Sequence, residues 1–156
     1  MAKFASNTSV NVERSQMQIR DTLRRYGAES FGVIERNDHG AVMFEFKGMT
    51  VQILVPMPDL NSDEFQMTDS GRPRKENSAM AVYEQSVRQR WRALLLAIKA
   101  KLEAVETGIS TIEREFLPFI VMPDGKTFAD HALPKLQELV RLGKMPKCLA
   151  LPAHEK

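Results

Sequence analysis

Residues 78–108 read SAMAVYEQSVRQRWRALLLAIKAKLEAVETG. Met80, Tyr83, Val87, Trp91, Leu94, Ile98, Leu102 and Val105 recur three or four residues apart, the spacing of one helical face. The stretch is one long amphipathic helix, capped by Asn77 or Ser78, and its stripe needs a layer to lie on. Five cations, Arg88, Arg90, Arg92, Lys99 and Lys101, surround that stripe. The far side carries Gln85, Gln89, Ala93, Leu96 and Ala100. It is too apolar for a plain solvent face, so later helices cover it, with a homodimer interface as the alternative.

Upstream lies the partner layer. Strands are expected at 31–36, 41–47 and 49–55, joined by the turn Asn37-Asp38-His39-Gly40 and by Gly48. Val42, Phe44 and Phe46 alternate with Met43, Glu45 and Lys47, and Val51, Ile53 and Val55 with Thr50, Gln52 and Leu54. A period of two puts one face on a core and leaves the other largely wet. Before the meander, Val12, Ile19, Leu23 and Tyr26 mark a helix over 12–26 that ends at Gly27. Arg20, Arg24 and Arg25 sit in its last turn, where cations complement the helix dipole. Residues 1–10 read as a loose arm.

Between meander and long helix, PMPDLNSDEFQMTDSGRPRKEN at 56–77 has no periodicity. It reads as a long mobile loop, with a short strand at 64–68. Beyond Gly108, Ser110 and Glu113 have the spacing of a capping box. The helix they open carries Phe116, Leu117, Phe119 and Ile120 inward, with Pro118 kinking it or in its first turn. A turn at 123–126 follows, then a last helix from Thr127 and Asp130 to Leu142, split at Pro134 and stopped by Gly143. The tail at 147–156 is expected to be extended, and Met145, Leu149 and Leu151 are its apolar anchors. The expected fold is a single α+β domain over 1–156: an N-terminal helix, a three- or four-stranded antiparallel meander covered by one long helix, and a C-terminal helical layer.

With 43% hydrophobic and 27% charged residues in 156, one chain can bury a real core. Cys148 is the only cysteine, which excludes an intrachain disulfide framework and a cysteine-rich zinc site. It fits a reducing compartment. No stretch has the length of a membrane span, and the first residues lack a signal-peptide core. Net charge is +2, unevenly placed: 72–101 holds eight cations against two acids, and 59–69 four acids and no cation. A local field can therefore exist although the total is near zero.

Catalytic chemistry finds little footing. His39, His131 and His154 have no ligand-spaced partner. His131 beside Asp130 reads as a surface pair, and Cys148 as a small apolar residue. Asp124-Gly125-Lys126-Thr127 lacks the glycine run of a phosphate loop. No catalytic residue, metal ligand or cofactor is assigned. Nucleic acid is the better candidate partner. Arg72, Arg74 and Lys75 lie on the loop that feeds the long helix, and Arg88, Arg92 and Lys99 form one row along it. Row and loop together would track and clamp phosphates. The plain reading is that these cations snorkel over a core and keep the helix solvated. Trp91, being on the apolar stripe, is expected in the core rather than stacked on a base. The rival site is an acidic, apolar surface for a protein partner, formed by Asp59, Asp63, Glu64, Phe65 and Met67 with both apolar chains exposed.

The segments MAKFASNTSV at the start, LRRYGAESFG at 23–32, ILVPMPD at 53–59, RQRWRALLLAIKAKLEAVETGI at 88–109, EREFLPFIVMPDGKT at 113–127 and LGKMP at 142–146 cover most of the chain. In their order the chain resembles a family of small bacteriophage and prophage proteins of unassigned function. The resemblance implies a phage product acting in the host bacterial cytoplasm. Such proteins commonly serve DNA replication or recombination, or bind and disable a host factor such as a defence-system or polymerase component. No site residue follows from it.

Overall fold

The computed structural model describes residues 8–36 and 38–144, in the order helix, three strands, short helix, long helix, and a C-terminal segment. It is an α+β fold. The arm at 1–10 is described only from Thr8, without helix or strand, and the tail at 147–156 lies outside the described residues. Helix α1, Val12–Arg25, opens on Asn11, whose side chain accepts from the Arg14 amide. Strands β1 (Ser30–Glu35), β2 (His39–Phe46) and β3 (Met49–Pro56) form an antiparallel meander in that order. The β2–β3 hairpin turns on Lys47 and Gly48, both at positive φ (47° and 75°), the backbone a two-residue type I′ turn demands. The alternation holds: Val42, Phe44, Phe46, Val51, Ile53 and Val55 are all buried on one face. On the other, Ile34 and Leu54 lie open on either side of Ala41.

Helix α3 spans Glu76–Glu106 without a break. It starts earlier than its candidate caps: Lys75 is the N-cap, with no side-chain cap bond, and Asn77 and Ser78 lie inside the first turn. Trp91, Leu95, Ile98 and Leu102 are buried against the sheet with Ile19 and Leu23 of α1. Met80, expected on the stripe, is instead exposed. Its end of the helix turns toward a different neighbour. The 56–77 segment is folded, not a free loop. The strand expected at 64–68 is helix α2, Asp63–Gln66. Its Phe65 is 1% exposed and meets Tyr83 edge-on at 5.6 Å between ring centroids. Burying that ring gives the segment an anchor that its lack of periodicity hid.

After α3, Thr111 rather than Ser110 caps helix α4, Ile112–Phe116, by accepting from the Arg114 amide. The helix stops there. A 3-10 turn, Leu117–Phe119, takes Pro118 in its first positions, where no amide is missed. Phe116 is fully buried, whereas Leu117 faces solvent. The chain then runs beside β3: the Val121 amide donates to Thr50 O at 2.8 Å, and Ile120 bridges Val51. This is the trace of a fourth strand. Helix α5, Phe128–Arg141, begins with a full capping box between Thr127 and Asp130 and runs through Pro134 without splitting. It forms no layer on the core. From Leu133 to Lys144 every residue is exposed. No helix among the described residues is long and apolar enough to cross a membrane.

Candidate nucleic-acid interface

Helix α1 packs along one flank of α3, and this decides where the cationic row points. Gln85 Nε2 donates to Thr8 O at 3.0 Å, Arg92 Nη1 to Gln18 Oε1 at 2.8 Å, and the Tyr26 hydroxyl to Glu106. The Arg88–Arg92–Lys99 row therefore borders a seam between two helices and does not stand alone in water. Arg88 is 28% exposed; it donates to Gln85 Oε1 at 2.8 Å and lies 3.8 Å from a Glu84 carboxylate oxygen. The partner of Arg92, Gln18, is a neutral amide and not a carboxylate. Lys99 is exposed.

Across the seam, Arg14, Gln18 and Arg25 are spaced i, i+4 and i+11, one row of α1 at 100° per residue. Gln18 faces Arg92, so Arg14 and Arg25, both exposed, border the same seam. Five cations thus line it: Arg14, Arg25, Arg88, Arg92 and Lys99. Among the described residues only Arg88 of these has a carboxylate within ion-pair distance. Arg14 was not among the residues singled out in the sequence, and Arg25 was assigned to the helix dipole. Their row is visible in the spacing of α1, but its alignment with Arg92 depends on a contact 74 residues apart.

The remaining cations do other work. Arg90 donates to Pro56 O and ties α3 to the end of β3. Lys101 donates to Glu115 O at 2.9 Å, lies 3.4 Å from that residue's carboxylate, and sits over the Phe116 and Phe119 rings at 5.9 and 5.8 Å. The Ser110 hydroxyl, followed by Lys101, holds the Glu115 carboxyl below its ordinary range. Arg74 has a structural bond of its own: its Nε donates to Met67 O at 2.9 Å and closes the α2 loop. Arg72 and Lys75 are exposed. That loop docks on the Tyr83 side of α3, and nine residues, two and a half turns, separate Tyr83 from Arg92. Loop and row therefore occupy opposite flanks, not one continuous surface.

At its N-terminal end the seam opens into a groove of about 440 Å³, with Trp91, Tyr83, Val87 and Met57 in its lining and the acids Glu13, Glu35 and Glu84 among its polar groups. Those carboxylates bound the cationic track on this side. Trp91 is fully buried, so it is core and no stacking platform. The rival acidic surface loses Phe65, which is buried; its other apolar residue, Met67, and the acids Asp59, Asp63 and Glu64 remain exposed. Asp63 and Glu64 occupy the first turn of α2, and Asp59 accepts from the Asn61 amide at 2.9 Å. His131 pairs with Asp124 at 3.0 Å rather than with Asp130, which is held by the capping box. Among the described residues no group of three or more His, Cys, Asp or Glu is placed to hold a metal ion. No protein-family model matches the chain, and comparison with curated proteins and with solved structures found no match.

Proposed function

We propose that this chain is a phage-encoded, non-catalytic accessory protein that binds nucleic acid, single strands in replication or recombination being the ligand. The observation that supports this is the seam: two cationic rows on adjacent parallel helices, joined at Gln18 and Arg92, in which, among the described residues, only Arg88 of the five cations has a carboxylate within ion-pair distance. Phosphates would lie along Arg14, Arg25, Arg92 and Lys99, with Arg88 half-engaged by Glu84. The phage setting rests on the resemblance of the sequence alone. The alternative, a module that binds and inhibits a host factor through the 59–69 acids, has less support, because those acids serve α2 and Phe65 is not offered to a partner.

The test is anisotropy of a labelled single-stranded oligonucleotide across a salt series. Affinity should fall steeply with salt, and each lost phosphate contact should reduce the log–log slope by about 0.7. The double variant Arg25→Glu, Lys99→Glu should abolish binding, since both residues are exposed and, among the described residues, neither side chain makes a hydrogen bond or ion pair. Arg72→Glu with Lys75→Glu should leave most of it. Absence of binding at low salt would end the reading.

A further inference from the structure

The groove at the N-terminal end of the seam continues into a second hollow. That hollow, of about 430 Å³, is lined by Asp38, Met57, Pro58, Asp59, Leu60 and Tyr83, and shares Met57 and Tyr83 with the first. The two form one trough past the ends of β1 and β3. Val12, Met57, Leu60, Tyr83 and Val87 line it and are all half-buried, so each keeps accessible apolar surface. Its walls are fixed from behind. Tyr83 meets the buried Phe65 ring edge-on, and Trp91 packs hard against Gly40 of β2. A preformed concavity of this size, apolar with a few polar groups, suits a small molecule.

The rim indicates which kind. Five carboxylates line the trough, Glu13, Glu35 and Glu84 in the first hollow and Asp38 and Asp59 in the second. Two guanidinium groups, Arg36 and Arg88, oppose them, so the trough is net negative in a chain whose total is +2. Arg88 lies 3.8 Å from Glu84. Glu35 accepts from the Gln16 side-chain amide and Asp59 from the Asn61 backbone amide, both neutral donors. The Asp38 carboxyl is held below its ordinary range, first by its own backbone amide and then by His39. An anion would be repelled here, and a neutral apolar molecule would leave the rim without a counterpart. A cation with an apolar body meets both features, and the face of the Tyr83 ring attracts it further.

We propose that this trough binds a small organic cation, an aromatic or branched apolar body carrying a protonated amine. The body would rest on Met57, Tyr83 and Val87, with the amine at the Glu35 and Glu84 carboxylates. The site does not depend on the nucleic-acid reading.

Three probes with one body and different charge test it on the full chain: 3-phenylpropylamine, 3-phenyl-1-propanol and 3-phenylpropionate. Binding is read from amide chemical shifts and from the fluorescence of Trp91, the only tryptophan. The amine should saturate with a Kd of about 1–10 mM, as befits so small a ligand, and shift amides at 12–16, 35–36, 57–60 and 83–91. The alcohol should bind about fivefold more weakly and the carboxylate not at all. Added salt should weaken the amine alone. Glu35→Gln with Glu84→Gln should bring the amine down to the affinity of the alcohol, whose own binding stays unchanged. Glutamine at 35 can still pair with Gln16, so the fold is retained. Absence of saturation by the amine at about five times that concentration overturns the proposal. Equal binding of all three probes does so too, since the trough would then be an apolar patch without charge selection. Shifts confined to another part of the chain, or an unaltered amine affinity in the double variant, would likewise overturn it.

Discussion

Trp91 reaches the sheet at Gly40, and the contact leaves no room for a side chain there. A Cβ on Gly40 would stand 2.9 Å from Trp91 Cζ2 and 3.1 Å from Met57 Cε. Gly40 belongs to β2 and faces the core, so its role is close approach rather than turning. Gly40→Ala should destabilise the fold by about 1–3 kcal/mol, the usual cost of overpacking a core, read as a lowered denaturation midpoint with the m-value unchanged. The sequence placed Trp91 in the core correctly, because a four-residue rhythm of apolar positions needs no partner to be recognised. It could not show that Gly40 was the residue beneath the ring, since 51 positions separate them and glycine carries no hydropathic signature. Arg92 poses the same difficulty. Its position on the helix was legible, but whether it faced water or α1 was not.

At the scale of elements, local chemistry explains starts and stops well. Thr127 and Asp130 spell the capping box that opens α5, and the bond from the Thr127 side chain, then its backbone, holds the Asp130 carboxyl below the ordinary range. Asp124 is lowered too, first by the Lys126 amide and then by His131. A carboxylate whose folded pKa is depressed stabilises the native form above its unfolded value and loses that contribution as pH falls through the folded one. The first turn of α5 should therefore loosen in acid below the ordinary carboxylate range while the sheet persists. Amide chemical shifts at 127–131 followed through an acid titration would show it, and simultaneous loss of the sheet signals would contradict it. Thr127→Ala should weaken this helix start by about 1 kcal/mol at neutral pH. Where periodicity was short or absent, element type was misjudged: α2 was taken for a strand because four residues around one buried ring carry too little pattern to separate the two.

The whole molecule divides into a two-helix layer on a meander and an appended C-terminal helix. Ile19, Leu23, Trp91, Ile98 and Leu102 bury the same sheet face that carries Phe44 and Phe46, whereas no residue of α5 is buried. Amides of the β2–β3 ladder and the middle of α3 should thus exchange with solvent only through global unfolding, and those of α5 beyond Leu133 orders of magnitude faster in dilute protein. Uniform protection along α5 at low concentration would refute that division. The layered core, the meander and the long helix were determined by the sequence itself, because apolar periodicity within a segment reports the face it must bury. Tertiary structure alone decided which flank of α3 receives α1, that the loop arginines and the Arg88 row lie on opposite sides, and that no described residue covers the leucine face of α5. Those outcomes depend on contacts between segments tens of residues apart, and periodicity within one segment says which side is apolar, not what comes to lie against it.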